Sequence, residues 1–593
     1  MNMKQIYSSI KYFAAGLLCL VMLGSCGDFL EITPRDIVTE DNFWDEKTDV
    51  EQMVMGCYTA MQSQSFISRC VVWGDLRSDD IDGATGISGH NDLYQALLNN
   101  LLPTNSYTDW SSFYAVINKC NTIIRMASEV SDKDPAYRQS DVNATIAEVT
   151  ALRSLCYWYL IRAFDAVPFY REAVQQEDEV TYLAPMNFNQ VLNELIADLE
   201  SVKDNALDHY PTSSSDGLSW KFNSNCNRIT RNGIRAILCD MYLWRGDYDK
   251  VIACMNEVMA VKEKDYKDLT GTTAIKTYNG KYGTKAYLYS NELSVNNSFN
   301  NIFGGYGNSY ESIFELSFNY EGEGSPYIMN TALGSLFGSG ITKKIDGLDV
   351  NNGIGLLKPM NDIVSDGSKN SANDWKIYRN PSDVRFYCGI RSVDEDYSDG
   401  IVRKGVASTF SVASSGTKLV NYNATNFILK TVMDRNWIFY RLTDVMLMGA
   451  EAYIMKSSDD NTAEDQENLK KAFDLIEIVN QRSVTQQSYQ LHNTANAASI
   501  TRANLKTELR RERRAELMFE GKRWFDIIRY CRQDGNLNLA KEVPAKSGSI
   551  KSANPFPNMD YLFWPYLKNE VKKNPNLKQK TIYDKEDNSF EMN

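Results

Sequence analysis

The sequence predicts a mostly α-helical protein, a helical-repeat scaffold of the tetratricopeptide type carrying large loop-rich inserts and a few short strands. Three observations carry that expectation. Apolar residues recur at spacings of three and four toward both ends of the chain. A helix, Gly-Asp-Tyr turn, helix unit occupies residues 234–259. Between residues 270 and 415 the chain is dense in Gly, Asn, Ser and Tyr, and helical periodicity fades.

In chain order, Lys4 and Lys11 flank a positive start, and the apolar run Tyr12–Leu23 has the roughly 7–15 residues of a secretory signal. It falls short of the ~20 residues that would span a bilayer. Small residues Gly24 and Ser25 directly before Cys26 point to lipid attachment at Cys26, so residues 1–25 read as a lipoprotein signal peptide. The remainder, 26–593, reads as one domain, with its helical scaffold mainly in 40–75, 108–262 and 436–532 and loop-rich inserts at 80–108 and 270–415.

Within the scaffold, Ile146, Val149, Leu152, Leu155, Cys156, Tyr159 and Ala163 fall on one helix face. Val191, Leu192, Leu195, Ile196, Leu199 and Val202 repeat the pattern. Ile234, Ile237, Leu238 and Met241 then lead into the turn Arg245-Gly246-Asp247-Tyr248 and on to Val251, Ile252, Met255 and Met259. Gly246 suits a left-handed C-terminal cap and Asp247 an N-cap. A second pair is predicted over Leu442–Tyr453 and Leu469–Arg482, and a strand over Ser312–Phe318.

Composition excludes several functions. A net charge of -13 argues against nucleic acid as a partner, because phosphate neutralisation needs a basic surface. The three His residues, His90, His209 and His492, lie in no catalytic or zinc motif, and no cofactor or metal-ligand spacing stands out. Of eleven Cys, Cys19 leaves with the signal and Cys26 is consumed by lipid; Cys156, Cys239 and Cys254 sit in helical patterns as small apolar residues, so no disulfide framework is expected. Tyr clustered with Asn, Gly and Ser in loops suggests binding surfaces, since Tyr joins a rigid apolar face to a polar tip.

Several segments, taken in order, resemble the SusD/RagB family of surface lipoproteins from glycan-scavenging Bacteroidota. They are Cys26-Gly-Asp-Phe-Leu-Glu-Ile-Thr-Pro34, Leu76-Arg77-Ser78-Asp79-Asp80, the helix from Ala151 to Leu160 leading to Val167-Pro168-Phe169, the stretch from Glu512 to Arg529, and Trp564-Pro565-Tyr566 with Asn574 to Gln579. The resemblance covers essentially the whole mature chain. It implies a non-catalytic receptor on the outer membrane, anchored through its N-terminal lipid and facing the cell exterior. Such a receptor binds oligosaccharide, or peptide in RagB-type branches, and partners a SusC-like TonB-dependent transporter as a hinged lid. Asp28 and Glu31 resemble the acidic export tags of such lipoproteins. No cofactor is implied.

In the loops that follow the acidic motif and the Ser312–Phe318 strand, the expected ligand contacts are Asp80, Asp82, Asn91 and Tyr94, with Tyr320 and Tyr327 as stacking platforms. Starch-binding members place Trp soon after the acidic motif, whereas Ile81–Gly89 contains none, which argues against starch. Glu512, Glu516 and Glu520 recur every four residues among Arg513, Arg514 and Arg523. A glycoside hydrolase needs two carboxylates facing each other across a cleft, about 5 Å or about 6.5–9.5 Å apart, and one helix face does not provide that. The row therefore reads as an ion-paired structural junction.

Overall fold

The computed structural model describes residues 43–175, 179–210, 226–269, 275–290, 298–304, 307–318, 330–338, 355–364, 435–484, 487–493, 500–549 and 556–584, with short pieces between 344 and 429. Its principal helices are α1 (Lys47–Met61), α2 (Gln64–Val71), α3 (Asn91–Leu97), α4 (Ser111–Lys133), α5 (Gln139–Phe164), α6 (Phe188–Val202), α7 (Arg231–Arg245), α8 (Tyr248–Leu269), α9 (Leu442–Lys456), α10 (Ala463–Ser483), α11 (Arg502–Leu517) and α12 (Arg523–Asp534). Neighbours in sequence pack as pairs, α4 on α5, α7 on α8 and α9 on α10, and α8 against α9 joins the early helices to the late ones. A continuous cluster of buried apolar side chains runs from Trp44 to Leu577.

The predicted turn between α7 and α8 forms as the sequence implies. Gly246 takes φ +87, and its N–H donates to Tyr242 O at 2.9 Å, closing the end of α7. Asp247 differs in detail, because its carboxylate is engaged by Arg245 Nε at 2.8 Å. Helix α5 departs further from the one-faced reading: every residue from Ala147 to Phe164 is buried. A helix buried all round must satisfy its polar groups internally. Glu148 accepts from Tyr58 Oη at 2.6 Å and from Arg228 at 2.7 and 2.9 Å. Arg153 donates to Asn121 and Asp198, and Arg162 lies 4.4 Å over the Phe525 ring while donating to Asp240.

Strands are short and pair antiparallel in twos. β1 (Ile81–Gly83) pairs with β5 (Leu357–Pro359), β2 (Ile275–Asn279) with β3 (Lys285–Tyr289), and β4 (Ser312–Leu316) with β6 (Trp437–Arg441). Both strands of the β4/β6 pair are buried throughout, which explains their near-continuous apolar sequence. Phe314 stacks on Phe439 at 5.1 Å across the pair. Eight cysteines are described and all are free thiols; Cys57 and Cys120 approach only to 3.9 Å between sulfurs, far beyond a disulfide bond.

Candidate ligand-binding face

Local sequence places Glu512 and Glu516 one turn apart on α11, but Glu520 lies beyond the helix end, after Phe519 at φ +65. All three carboxylates nevertheless converge on buried cations. Glu516 accepts from Arg441 Nη1 at 2.6 Å, from Arg385 Nη1 at 3.3 Å and from Arg482. Glu520 takes Arg441 Nε and Nη2 at 2.8 Å and pairs with Lys404 at 2.6 Å. Glu512 takes Arg385 at 2.6 Å. Burial alone would raise the Glu516 carboxyl; Arg482, Arg441 and Arg385 hold it well below the usual carboxylate range.

Arg513 turns the other way, donating to Asp526 at 2.8 Å and Asp444 at 2.7 Å, and Arg529 donates to Asp526 at 2.7 Å. Burial opposes ionisation of Asp526, yet Arg513 and Arg529 hold it down to about 2. An unfolded Asp titrates near ~3.9, so this carboxylate contributes stability above pH ~4 that is lost as pH falls through its folded value, up to about 2–3 kcal/mol in all. The stability gap between wild type and Asp526→Asn should therefore close between about pH 4 and 2. Urea midpoints across that range check it; a gap independent of pH would sink the assignment.

The same helices anchor the acidic motif. Arg523 Nε donates to Asp79 at 2.7 Å, and Arg514 Nε donates to Asp80 Oδ1 at 2.6 Å. Burial would raise Asp79, but Arg514 and Arg523 hold it low. The insert begins immediately after this anchor. Lys546 donates to the carbonyls of Ser78 and Ile81, Asp82 accepts from Ser547 N at 2.9 Å and from its hydroxyl, and β1 is held by β5. Farther on, Asp92 accepts from Ser106 N at 2.9 Å, and Asn105 Nδ2 donates to Asp92 O at 2.7 Å, tying α3 to the insert's far end. The segment is thus tied down by hydrogen bonds at both its ends.

This geometry corrects two expected ligand contacts. Asp80 and Asp82 are 0% and 2% exposed and lie against Arg514 and Ser547, so neither presents its carboxylate at the surface. Adjacent acids before a Gly-rich stretch look solvated in sequence; their partners, Arg514 and Ser547, come from the far end of the chain. Asn91 is exposed at the start of α3, and Tyr94 is half-buried, its hydroxyl seated against Gly548 in the Lys546–Ser549 turn. The structure thus brings Asn91 and Tyr94 together on one face with Gln95. Sequence reasoning missed the Lys546–Ser549 turn beneath them, for which Ser547-Gly548 was the available turn signal. Tyr320, Tyr327 and Cys26 lie outside the described residues.

Two surface concavities are lined by other parts of the chain. One, about 780 Å³, runs along α1 past Thr48, Met55 and Gly56; the other, about 510 Å³, lies beside the ends of α5 and α12. Among the described residues no cluster of His, Cys, Asp and Glu is placed to hold a metal ion, and no helix is long and apolar enough to cross a membrane.

Comparison with known proteins agrees with this architecture. A family model described as the SusD family matches residues 393–583, which include Glu512, Glu516, Glu520, Arg441 and Arg482 of the junction but not Arg385. Two SusD-like proteins of Formosa agariphila are 22% and 24% identical to the chain, each alignment covering 96% of it and 97% or 98% of the relative. A SusD superfamily protein from Bacteroides thetaiotaomicron superposes with a TM-score of 0.62 at 17% identity, over 91% of this chain and 99% of that one. A laminarin-binding SusD-like protein superposes with a TM-score of 0.59, also at 17% identity and the same coverage. Residues 393–583 thus match the SusD family, and the whole chain is similar to SusD-like proteins in sequence and in fold.

Proposed function

We propose that the protein is a surface-anchored, non-catalytic receptor that captures oligosaccharide and delivers it to a TonB-dependent outer-membrane transporter, tethered through a lipid on Cys26. The observation that supports this reading is the insert face, held from beneath by Asp79, Asp82 and Lys546, with Asn91 exposed on it and Tyr94 half-buried beside Asn91. Sugars offer flat C–H faces to an aromatic ring and hydroxyls to a fixed amide, and a pre-ordered face binds without the entropic cost of ordering a loop. Tyr320 and Tyr327 would add stacking surfaces from the second insert. Proteins that share this fold include one described as laminarin binding and a surface glycan-binding protein from Bacteroides uniformis.

The hydrolase alternative has little support in the geometry. Glu512, Glu516 and Glu520 are at most 3% exposed and each pairs with a cation, so none is free to protonate a glycosidic oxygen. Titration calorimetry of the chain with a panel of oligosaccharides and peptides tests the proposal. Saturable glycan binding without product is expected, and Tyr94→Ala should weaken it about tenfold, ~1.4 kcal/mol. Product formation would overturn the receptor reading. Binding of peptides in place of every glycan would redirect it to a RagB-type receptor.

A further inference from the structure

Asp165, the residue after α5, holds a backbone conformation that L-residues adopt at a cost, with φ +67 and ψ -48. The Ala166 N–H donates to Phe164 O at 2.8 Å across it, closing a γ-turn of the strained kind. Glycine would make the same turn without the Cβ penalty. This chain has an aspartate there, and its carboxylate takes no hydrogen bond and no ion pair among the described residues, although the charges of Lys580 and Arg532 act on it.

That aspartate lines the 510 Å³ cleft together with Arg532, Asn558, Asp560 and Phe563. The Arg532 guanidinium is propped 4.0 Å over the Phe188 ring and likewise has no hydrogen-bond or ion-pair partner among the described residues. Asn558 Oδ1 is occupied by the Asp560 N–H at 3.0 Å, and the Asn558 amide N–H groups take no acceptor among the described residues. Lys580 stands behind, its Nζ donating to Trp564 O at 3.0 Å above the Phe563 and Tyr566 rings. The cleft thus presents the half-buried Asp165 carboxylate, solvent-facing donors on Arg532 and Asn558 that take no protein acceptor among the described residues, and an aromatic edge, with two acids balanced by two bases. Balanced charge disfavours an ionic ligand, while unpaired donors and acceptors favour one rich in hydroxyls. Its volume lies in the roughly 300–1,000 Å³ range of small-molecule sites.

We propose that this cleft is a second sugar site, sized for one neutral hexose unit, in which Asp165 accepts from ligand hydroxyls and Arg532 and Asn558 donate to ligand oxygens. It is built from different elements than the Asn91 and Tyr94 face, so either site can fail without the other. The strain at Asp165 is then retained for its carboxylate, which predicts opposite effects of one substitution on stability and on binding.

The test titrates the full chain with glucose, galactose and mannose separately, followed by saturation-transfer NMR, with crystal soaks of whichever sugar binds. At least one hexose should bind saturably in the millimolar range and occupy the space between Asp165 and Arg532. Asp165→Asn, which tolerates positive φ, should weaken it about tenfold or more. Asp165→Gly should lose the binding and raise Tm. The proposal is overturned if none of the three sugars binds, if the bound sugar sits elsewhere, or if Asp165→Asn leaves affinity unchanged. A lowered Tm for Asp165→Gly would likewise overturn it, by making the carboxylate a structural group.

Discussion

Replacing Glu516 by Ala is expected to lower the unfolding free energy by about 3–5 kcal/mol, the cost of breaking a buried ion pair from one side. Glu516 serves three cations at once: Arg441 on β6, Arg482 on α10, and Arg385 from the segment before residue 390. Arg441 and Arg482 are fully buried and cannot turn to water. Each keeps another partner, Glu520 for Arg441 and Glu311 for Arg482 at 2.8 and 2.9 Å, so the loss is an excess of buried positive charge rather than complete orphaning. Two consequences follow from that distinction. Glu516→Gln, which keeps shape and an acceptor oxygen, should cost less than Glu516→Ala. The double variant Glu516→Ala with Arg482→Met should lose less than the sum of the single variants, because it removes one charge of each sign. Guanidinium midpoints with unchanged slopes supply these numbers. A loss under about 1 kcal/mol for Glu516→Ala would mean that the junction does not lock the scaffold.

The junction also shows how far the sequence could be read. The acids and arginines of α11 were visible because helix periodicity is local, and their structural role followed from the absence of any facing cleft. Their partners were not visible, since Arg385, Arg441 and Arg482 are brought in by tertiary packing that no local pattern encodes. The same limit explains Asp80 and Asp82, whose partners Arg514 and Ser547 are 434 and 465 positions away. Gly246 was legible because a left-handed helix end is decided within a few residues. The all-round burial of α5 was not, because its polar residues Glu148, Arg153 and Arg162 imitate a solvated face until Arg228, Asp198 and Asp240 arrive to pair with them. Within residues 80–108, the sequence did not show which polar groups face inward. That division is set by Lys546 and Ser547, far outside that segment.

Gly74→Ala is the second change with a large expected effect, about 3 kcal/mol or more, combining overpacking with the loss of a helix cap. Gly74 lies in the π-helical turn Val72–Leu76, and a Cβ there would stand 1.9 Å from the Gly521 carbonyl oxygen. Backbone meets backbone, so no side chain can give way. Gly521 cannot retreat, because it holds φ +71 with the Trp437 ring and the Cys70 carbonyl close on its other side. The tight approach lets Asp75 reach the start of α12, where its carboxylate accepts from the N–H groups of Gly521 at 2.7 Å, Arg523 at 3.0 Å and Lys522 at 3.1 Å. An anion there satisfies unpaired donors and opposes the helix dipole. Pushing the two glycines apart breaks that cap and strains the neighbouring pairs of Asp79 and Asp80 with Arg523 and Arg514, on which the proposed binding face rests. Ligand affinity should therefore fall together with stability. Gly56→Ala provides the control: nothing lies within 4 Å of a Cβ at Gly56, and the helix-propensity gain should stabilise α1 by about 0.5–1 kcal/mol. Matched denaturation curves for the two variants, with hydrogen exchange at the first amides of α12, distinguish a local clash from a general intolerance of added methyl groups. If Gly74→Ala left both the curve and those amides unchanged, the cap would not depend on the close approach of Gly74 and Gly521.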